Sequence, residues 1–496
     1  MTAPRERELR FDAKMSDAEA LMWTIEKDPW LNPSGATVSV LDKSLDFEAF
    51  RTRINNAVAD IPRLRERVVP GFGRLAPPTW QPDAELDLEY HIRHIGLPAP
   101  GSERQLYDLC TRLYEDPYDR TRPLWMFVVI DGLEGGKGAL FSKMHHTVTD
   151  GMGALRLSEK YLELTADEPV PAEIDLAAVI AESLAANEGN KPPESTTPSE
   201  SLFRSLEHVV KRQAGIAKRA VGEVATWAGD PQQVVDLAED AVASARSTAS
   251  QLSQDGDGEA AGSPLWTDRS RRRHLESITI PLDDVKATGR ALGGSVNDVF
   301  VTGVTMGAID YHAKRNVSLA GLNASFVVST RQDTAIGGNA FSPTLVTVPG
   351  AYRSPESLLV DVRDRMAERR AGAGHGGGAM GAVAGLANLL PTSLLTQVAR
   401  SQAARLDVAT SNLRGAPIPV YMSGALVEKM VIMGPVAGTA MNVTTMSYAG
   451  DLVIGMFVDP VAVDDPADLC ACVEAAFQRL LATAQTPPTA SGAKDG

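Results

Sequence analysis

Cysteine is scarce in this chain: Cys110, Cys470 and Cys472 are the three present in 496 residues. Their number is odd and no two stand at C-x-x-C spacing, which argues against a disulfide framework or a structural zinc site. A reducing cytoplasm is the expected compartment. Long apolar runs are missing as well. No uninterrupted stretch approaches the ~20 residues of a membrane helix, and residues 1–14 are charged, without the apolar centre of a signal peptide. The expected protein is soluble or peripheral. Basic residues are outnumbered, with 48 Lys and Arg against 63 Asp and Glu and a net charge of -15. Phosphate-backbone binding needs clustered Lys and Arg, so nucleic acid is not an expected partner. A G-x-S-x-G nucleophile elbow is also absent, which argues against a Ser-His-Asp hydrolase.

What is present fits a globular protein of two or three domains. Residues 11–164 read as a compact α/β unit. Helical spacing runs over 18–23 after Ser16-Asp17, over 47–61 through Phe50, Ile54 and Val58, over 106–114 and over 153–164. Strand-like runs lie at 36–41, 125–130 and 138–144. Composition then shifts to Ala, Glu, Ser and Pro, and 187–200 and 255–263 read as loose linkers. Between them 202–227 sets Leu202, Leu206, Val209, Ile216, Ala220 and Val224 on one stripe and Arg204, Lys211, Arg212, Lys218 and Arg219 on the other face. The stretch 231–252 is more acidic. A second α/β unit follows. Strands are expected at 274–280, 322–329, 345–348, 420–424 and 452–458, and helices at 282–292, 299–311 and 466–484. The Gly-rich tract 371–381 reads as a loop or a flexible helix start. The domain boundaries expected are 1–165, a linker at 166–270, 271–485, and a disordered tail at 486–496.

The segment His145-His146-Thr147-Val148-Thr149-Asp150-Gly151 carries the chemistry. Adjacent residues leaving a strand point to opposite sides, so one imidazole can face a cavity while the other faces the packing. Asp150-Gly151 is a turn signal, and Gly151 admits backbone angles closed to other residues. A neutral imidazole within hydrogen-bond reach of an alcohol can take its proton as the oxygen attacks a thioester, then return it to the leaving thiolate. His146 is the candidate base. Adjacent histidines do not readily chelate one metal ion, and no metal is expected. Two structurally satisfied histidines are the bland alternative. Asp150 either assists the histidine or forms an ion pair that fixes the loop; the second is favoured, with Arg331 as partner.

The H-H-x-x-x-D-G segment resembles the active-site motif of the CoA-dependent acyltransferase superfamily. Within it the chain is similar to the bacterial wax ester synthase/diacylglycerol acyltransferase family. Pro123-Leu124-Trp125 matches the family's P-L-W segment and Asn297-Asp298 its N-D segment. Gly338-Asn339-Ala340-Phe341, Ser411-Asn412, Asn442-Val443-Thr444 and the stretch 90–100 follow family patterns. One departure stands out: after Ser411-Asn412 the family often has V-P-G, where this chain has Leu413-Arg414-Gly415.

The resemblance implies two chloramphenicol-acetyltransferase-like domains with a channel between them and a partly helical linker. It implies acyl transfer from acyl-CoA, a co-substrate with no further cofactor, to diacylglycerol, giving triacylglycerol, or to a long-chain alcohol, giving wax ester. His145, His146 and Asp150 would form the catalytic group. Gly151, Asn297, Asp298, Ser411 and Asn412 would contact substrate, with Asn297 able to donate to an oxyanion. Asn297-Asp298 reads equally well as a helix cap, and Trp125 as plain core. The basic stripe at 202–227 suits an amphipathic helix lying in a lipid interface, or one packed across the two domains with its charges solvated.

Overall fold

The computed structural model describes residues 11–71, 77–189, 262–329, 341–373 and 392–485. The basic stripe at 202–227 and the acidic stretch at 231–252 lie outside them, as do Arg331 and Asn339.

In chain order the first half contains α1 (Asp17–Ile25), β1 (Ser34–Leu41), α2 (Phe47–Asp60), β2 (Glu66–Val69), β3 (Thr79–Pro82), α3 (Leu88–His91), β4 (Ile92–Gly96), α4 (Glu103–Glu115), β5 (Trp125–Leu133), β6 (Lys137–His145), α5 (Gly151–Ser158) and α6 (Leu176–Gly189). The second half contains β7 (His274–Pro281), α7 (Leu282–Ala291), α8 (Val296–Lys314), β8 (Gly321–Ser329), β9 (Phe341–Pro349), α9 (Pro355–Ala373), α10 (Thr392–Ala404), β10 (Val408–Arg414), β11 (Tyr421–Met422), β12 (Ala425–Met433), β13 (Met441–Tyr448), β14 (Asp451–Val458) and α11 (Pro466–Gln485). Two six-stranded sheets result, ordered β11-β12-β1-β6-β5-β4 and β7-β14-β13-β10-β8-β9. The expected α/β class is met.

The halves are not separable at the linker. Strands β11 and β12 come from the second half but extend the first sheet, with Val38 opposite Val431 and Ala36 opposite Met433. Only Tyr421 and Met422 of the expected strand 420–424 are extended. Met422 pairs with Ala425, which leaves Ser423-Gly424 as a two-residue hairpin loop. Both loop residues have positive φ, 45° and 82°, the combination of a type I′ turn, whose twist matches its strands. Glu163 locks this hairpin to the first half. Its carboxylate accepts the Ser423 and Gly424 N–H groups at 3.1 and 3.2 Å and pairs with Arg53 of α2 at 2.5 Å, both side chains buried. Glu163 also exchanges backbone hydrogen bonds with Tyr421 at 2.9 Å. That bridge explains why α5 stops at Ser158, short of the expected 164.

Three apolar clusters follow from this layout. One gathers α2, β5 and Trp125 with Met422, Val427 and Tyr448. A second joins α4 and the opposite face of the first sheet to Leu275, Val453 and Phe457 of the second. The third surrounds α8, where Val299, Phe300, Val301, Val304, Met306 and Ala308 are all buried. A helix apolar all round belongs inside a fold. It crosses α11 at close range through two glycines one turn apart. A Cβ on Gly303 would come within 2.5 Å of the Phe477 ring, and one on Gly307 within 2.4 Å of the Val473 Cα. The second clash is with backbone, so a side chain there must push the helices apart. Gly307→Ala is expected to cost about 1–3 kcal/mol, read as a lowered denaturant midpoint; an unchanged midpoint would show that the helices are not held at this distance.

Candidate active site

His145 ends β6 opposite Ser34 of β1, and the two imidazoles diverge as alternation requires. His145 is fully buried. Its Nδ1 accepts the Thr147 backbone N–H at 3.0 Å and faces the Thr147 hydroxyl at 2.7 Å. A nitrogen that accepts an N–H carries no proton, so the neutral ring holds its hydrogen on Nε2. That atom lies 3.2 Å from Glu26 Oε2. Glu26 is the residue just past α1, and the sequence reading missed it. The same Glu26 oxygen is 3.1 Å from Arg120 Nη1, and the Arg120 guanidinium lies over the Trp23 ring, 3.4 Å from its centre. Burial pushes the Glu26 pKa up, but the His145 hydrogen bond and the charges of Arg120 and Lys143 outweigh it, leaving Glu26 below the ordinary carboxylate range and ionised.

His146 lies on the other side and is partly buried. Its Nε2 lies beside Gly35 of β1, where a Cβ would sit at an ordinary contact distance of 3.7 Å. Burial, reinforced by His145 and opposed by Asp150, pushes the His146 pKa down to about 4. The ring is therefore neutral at physiological pH, the form a proton acceptor needs.

Asp150 is buried and is the N-cap of α5, its Oδ1 accepting the Gly153 N–H at 2.8 Å. Its expected partner Arg331 lies outside the described residues. Gly151 is the first residue of α5 and is not among the glycines with positive φ. The expected backbone-angle argument for Gly151 is thus corrected. What favours a small residue is proximity, since a Cβ there would stand 3.0 Å from Leu413 Cδ2 of β10 and the leucine would have to shift.

Leu413 links the histidine segment to the second half. Its neighbour Asn412 donates through Nδ2 to Asn297 Oδ1 at 3.4 Å, which brings together two residues named from the sequence. Asn297, Ser411 and Asn412 line one cleft. Asp298 plays a different part there. The helix starts at Val296 rather than 299, capped by Ser295, and Asp298 closes the capping box through Oδ2 at 2.8 Å from the Ser295 N–H. Trp125 is core: its Nε1 donates to the Leu64 carbonyl at 2.7 Å and its ring stacks on His91 at 4.3 Å.

A family model described as the wax ester synthase/diacylglycerol acyltransferase catalytic domain matches residues 15–300, and the family's C-terminal domain matches 337–481. The chain belongs to the wax ester synthase/diacylglycerol acyltransferase family. It is an acyltransferase. A Mycobacterium tuberculosis protein bearing the name diacylglycerol O-acyltransferase is 27% identical over 480 residues, covering 96% of this chain and 94% of its own. Another from the same organism and with the same name is 30% identical over 401 residues, covering 80% and 82%. Among solved structures, the wax ester synthase/diacylglycerol acyltransferase of Marinobacter aquaeolei superposes with a TM-score of 0.62 at 18% identity, over 95% of this chain and 100% of that one. A condensation domain of the calcium-dependent antibiotic synthetase gives 0.55 at 16%, over 97% and 98%. These likenesses support the chloramphenicol-acetyltransferase-like arrangement implied by the sequence. Among the described residues no helix is long and apolar enough to cross a membrane.

Proposed function

We propose that this chain transfers the acyl group of a long-chain acyl-CoA to the hydroxyl of a diacylglycerol or a long-chain alcohol, with His146 as general base and no cofactor besides the two substrates. The observation that carries the reading is a neutral His146 just past the end of β6, its neighbour His145 fixed in one tautomer by Thr147 and Glu26. The acceptor O–H gives its proton to His146 as the oxygen attacks the thioester carbon. The tetrahedral adduct then collapses, the C–S bond breaks, and the thiolate takes the proton from the imidazolium. Ester and free coenzyme A leave, and His146 is neutral again. Asn297 accepts from Asn412 through Oδ1, which leaves its amide N–H groups as donors toward substrate or the developing oxyanion. Peripheral contact with a membrane or lipid droplet belongs to the same proposal, since both acceptors reside there and the basic stripe at 202–227 suits such an interface.

The test is incubation of the purified protein with a long-chain acyl-CoA and a panel of diacylglycerol, long-chain alcohols and polar alcohols, read by mass spectrometry. Triacylglycerol or wax ester is expected as the main product. Ester formed only on polar alcohols would overturn the acceptor assignment, and no acyl transfer to any acceptor would overturn the reading as a whole.

A further inference from the structure

Strands β8, β10 and β13 run parallel, and β10 pairs with β13 along its whole length, from Val408 opposite Met441 to Arg414 opposite Ser447. With β8 it pairs only from Val408 to Thr410. Past Thr410 the two strands part. The gap is a cleft of about 350 Å³ lined by Asn297, Phe326, Arg370, Ser411, Asn412 and Arg414. It lies at the carboxyl ends of parallel strands, where open α/β sheets characteristically bind ligands.

The charge of this cleft is unlike that of the molecule. The chain carries -15, yet the charged lining residues are two arginines. Among the described residues, Asp298 is the acid paired with a lining residue. Its Oδ2 is taken by Ser295 and its Oδ1 lies 3.9 Å from Arg370. Arg370 is thereby partly balanced and steadied, with its guanidinium 5.5 Å from the centre of the Phe326 ring. Among the described residues no acid is paired with Arg414, which is exposed. It also occupies the position where the family often has proline. A guanidinium fork with unused donors, beside asparagine amides, suits a phosphate.

We propose that Arg414, with Arg370, forms a subsite for the phosphate-bearing nucleotide end of coenzyme A, which gives this chain a stronger grip on acyl-CoA than on phosphate-free thioesters. The proposal rests on acyl-CoA being the donor. Leu413 gives the physical connection: the strand that places Arg414 at the cleft also packs Leu413 against Gly151 at the histidine segment.

The test compares two donors with the same acyl chain, one on coenzyme A and one on pantetheine, in the full-length protein. The native protein should prefer acyl-CoA in kcat/KM. Arg414→Gln should shrink that preference about tenfold, the scale of one charge-assisted phosphate contact, through KM for acyl-CoA, and Arg414→Lys should restore much of it. Calorimetric binding of free coenzyme A should weaken in parallel in Arg414→Gln. An unchanged preference in an active, folded Arg414→Gln would overturn the subsite and leave the acyltransferase reading standing. A native protein that binds no coenzyme A and uses only the pantetheine thioester would overturn both the subsite and the acyl-CoA donor.

Discussion

Replacing His146 with alanine should lower kcat by about 100- to 10,000-fold, the usual contribution of a positioned general base, while KM for the acyl donor moves little. The proton transfer occurs only on the way to the tetrahedral adduct, so its loss falls on the transition state rather than on binding. The pH dependence adds a sign. His146 works unprotonated, and burial holds its pKa near 4. The acid limb of kcat/KM should therefore lie near pH 4 rather than near the 6.5 of a free imidazole. The unfolded chain takes up the same proton near 6.5, so the fold itself loses stability as the pH falls from there toward 4. Rates must be taken at pH values above the onset of acid unfolding, which circular dichroism locates. Retention of near-native kcat by His146→Ala would remove the base assignment.

The histidine pair was legible because its chemistry is local. Two adjacent rings at the end of a strand must diverge, and one of them is then left to the packing. Asn297 with Ser411-Asn412 came from the family resemblance, and their juxtaposition required the fold. Gly151 was read for the wrong reason: a turn signal in the sequence cannot reveal that Leu413, far along the chain, stands against it. Strand β13 escaped notice because it is polar by composition and buried in fact. Thr444 and Thr445 are buried, their hydroxyls donating to Asn442 Oδ1 at 2.7 Å and the Val453 carbonyl at 3.0 Å. Hydrogen bonds that satisfy such side chains leave no mark in an apolar pattern. The pairing of β12 with β1 was out of reach for a similar reason. Strand period identifies a face but not a partner, and here the partner lies in the other half of the molecule.

Glu26 is the residue whose replacement should matter most among those with no local signal. A lone glutamate at the end of a helix reads as a solvated charge or a helix-end residue. In the fold it is mostly buried, with His145 and Arg120 on the same oxygen. Removing one partner of a buried charge cluster leaves the others uncompensated, so Glu26→Ala should cost about 3 kcal/mol, a modest figure for such a cluster because Arg120 is partly exposed. A purely structural role would end there. Glu26→Gln separates the two roles. Its amide oxygen can still accept from His145 Nε2, but the charge that favours this tautomer and opposes Arg120 is gone. If Glu26 positions the pair, Glu26→Gln should lower kcat about tenfold with KM nearly unchanged, because the orientation of His145 sets that of the ring beside it. Glu26→Asp, which restores the charge one methylene short, should recover part of the loss. A Glu26→Gln protein that is less stable yet turns over at the native rate would make Glu26 a support of the fold alone. Equal losses of kcat in Glu26→Gln and in Arg120→Gln, not summing in the double variant, would identify the whole chain from Trp23 through Arg120 and Glu26 to His145 as one positioning unit.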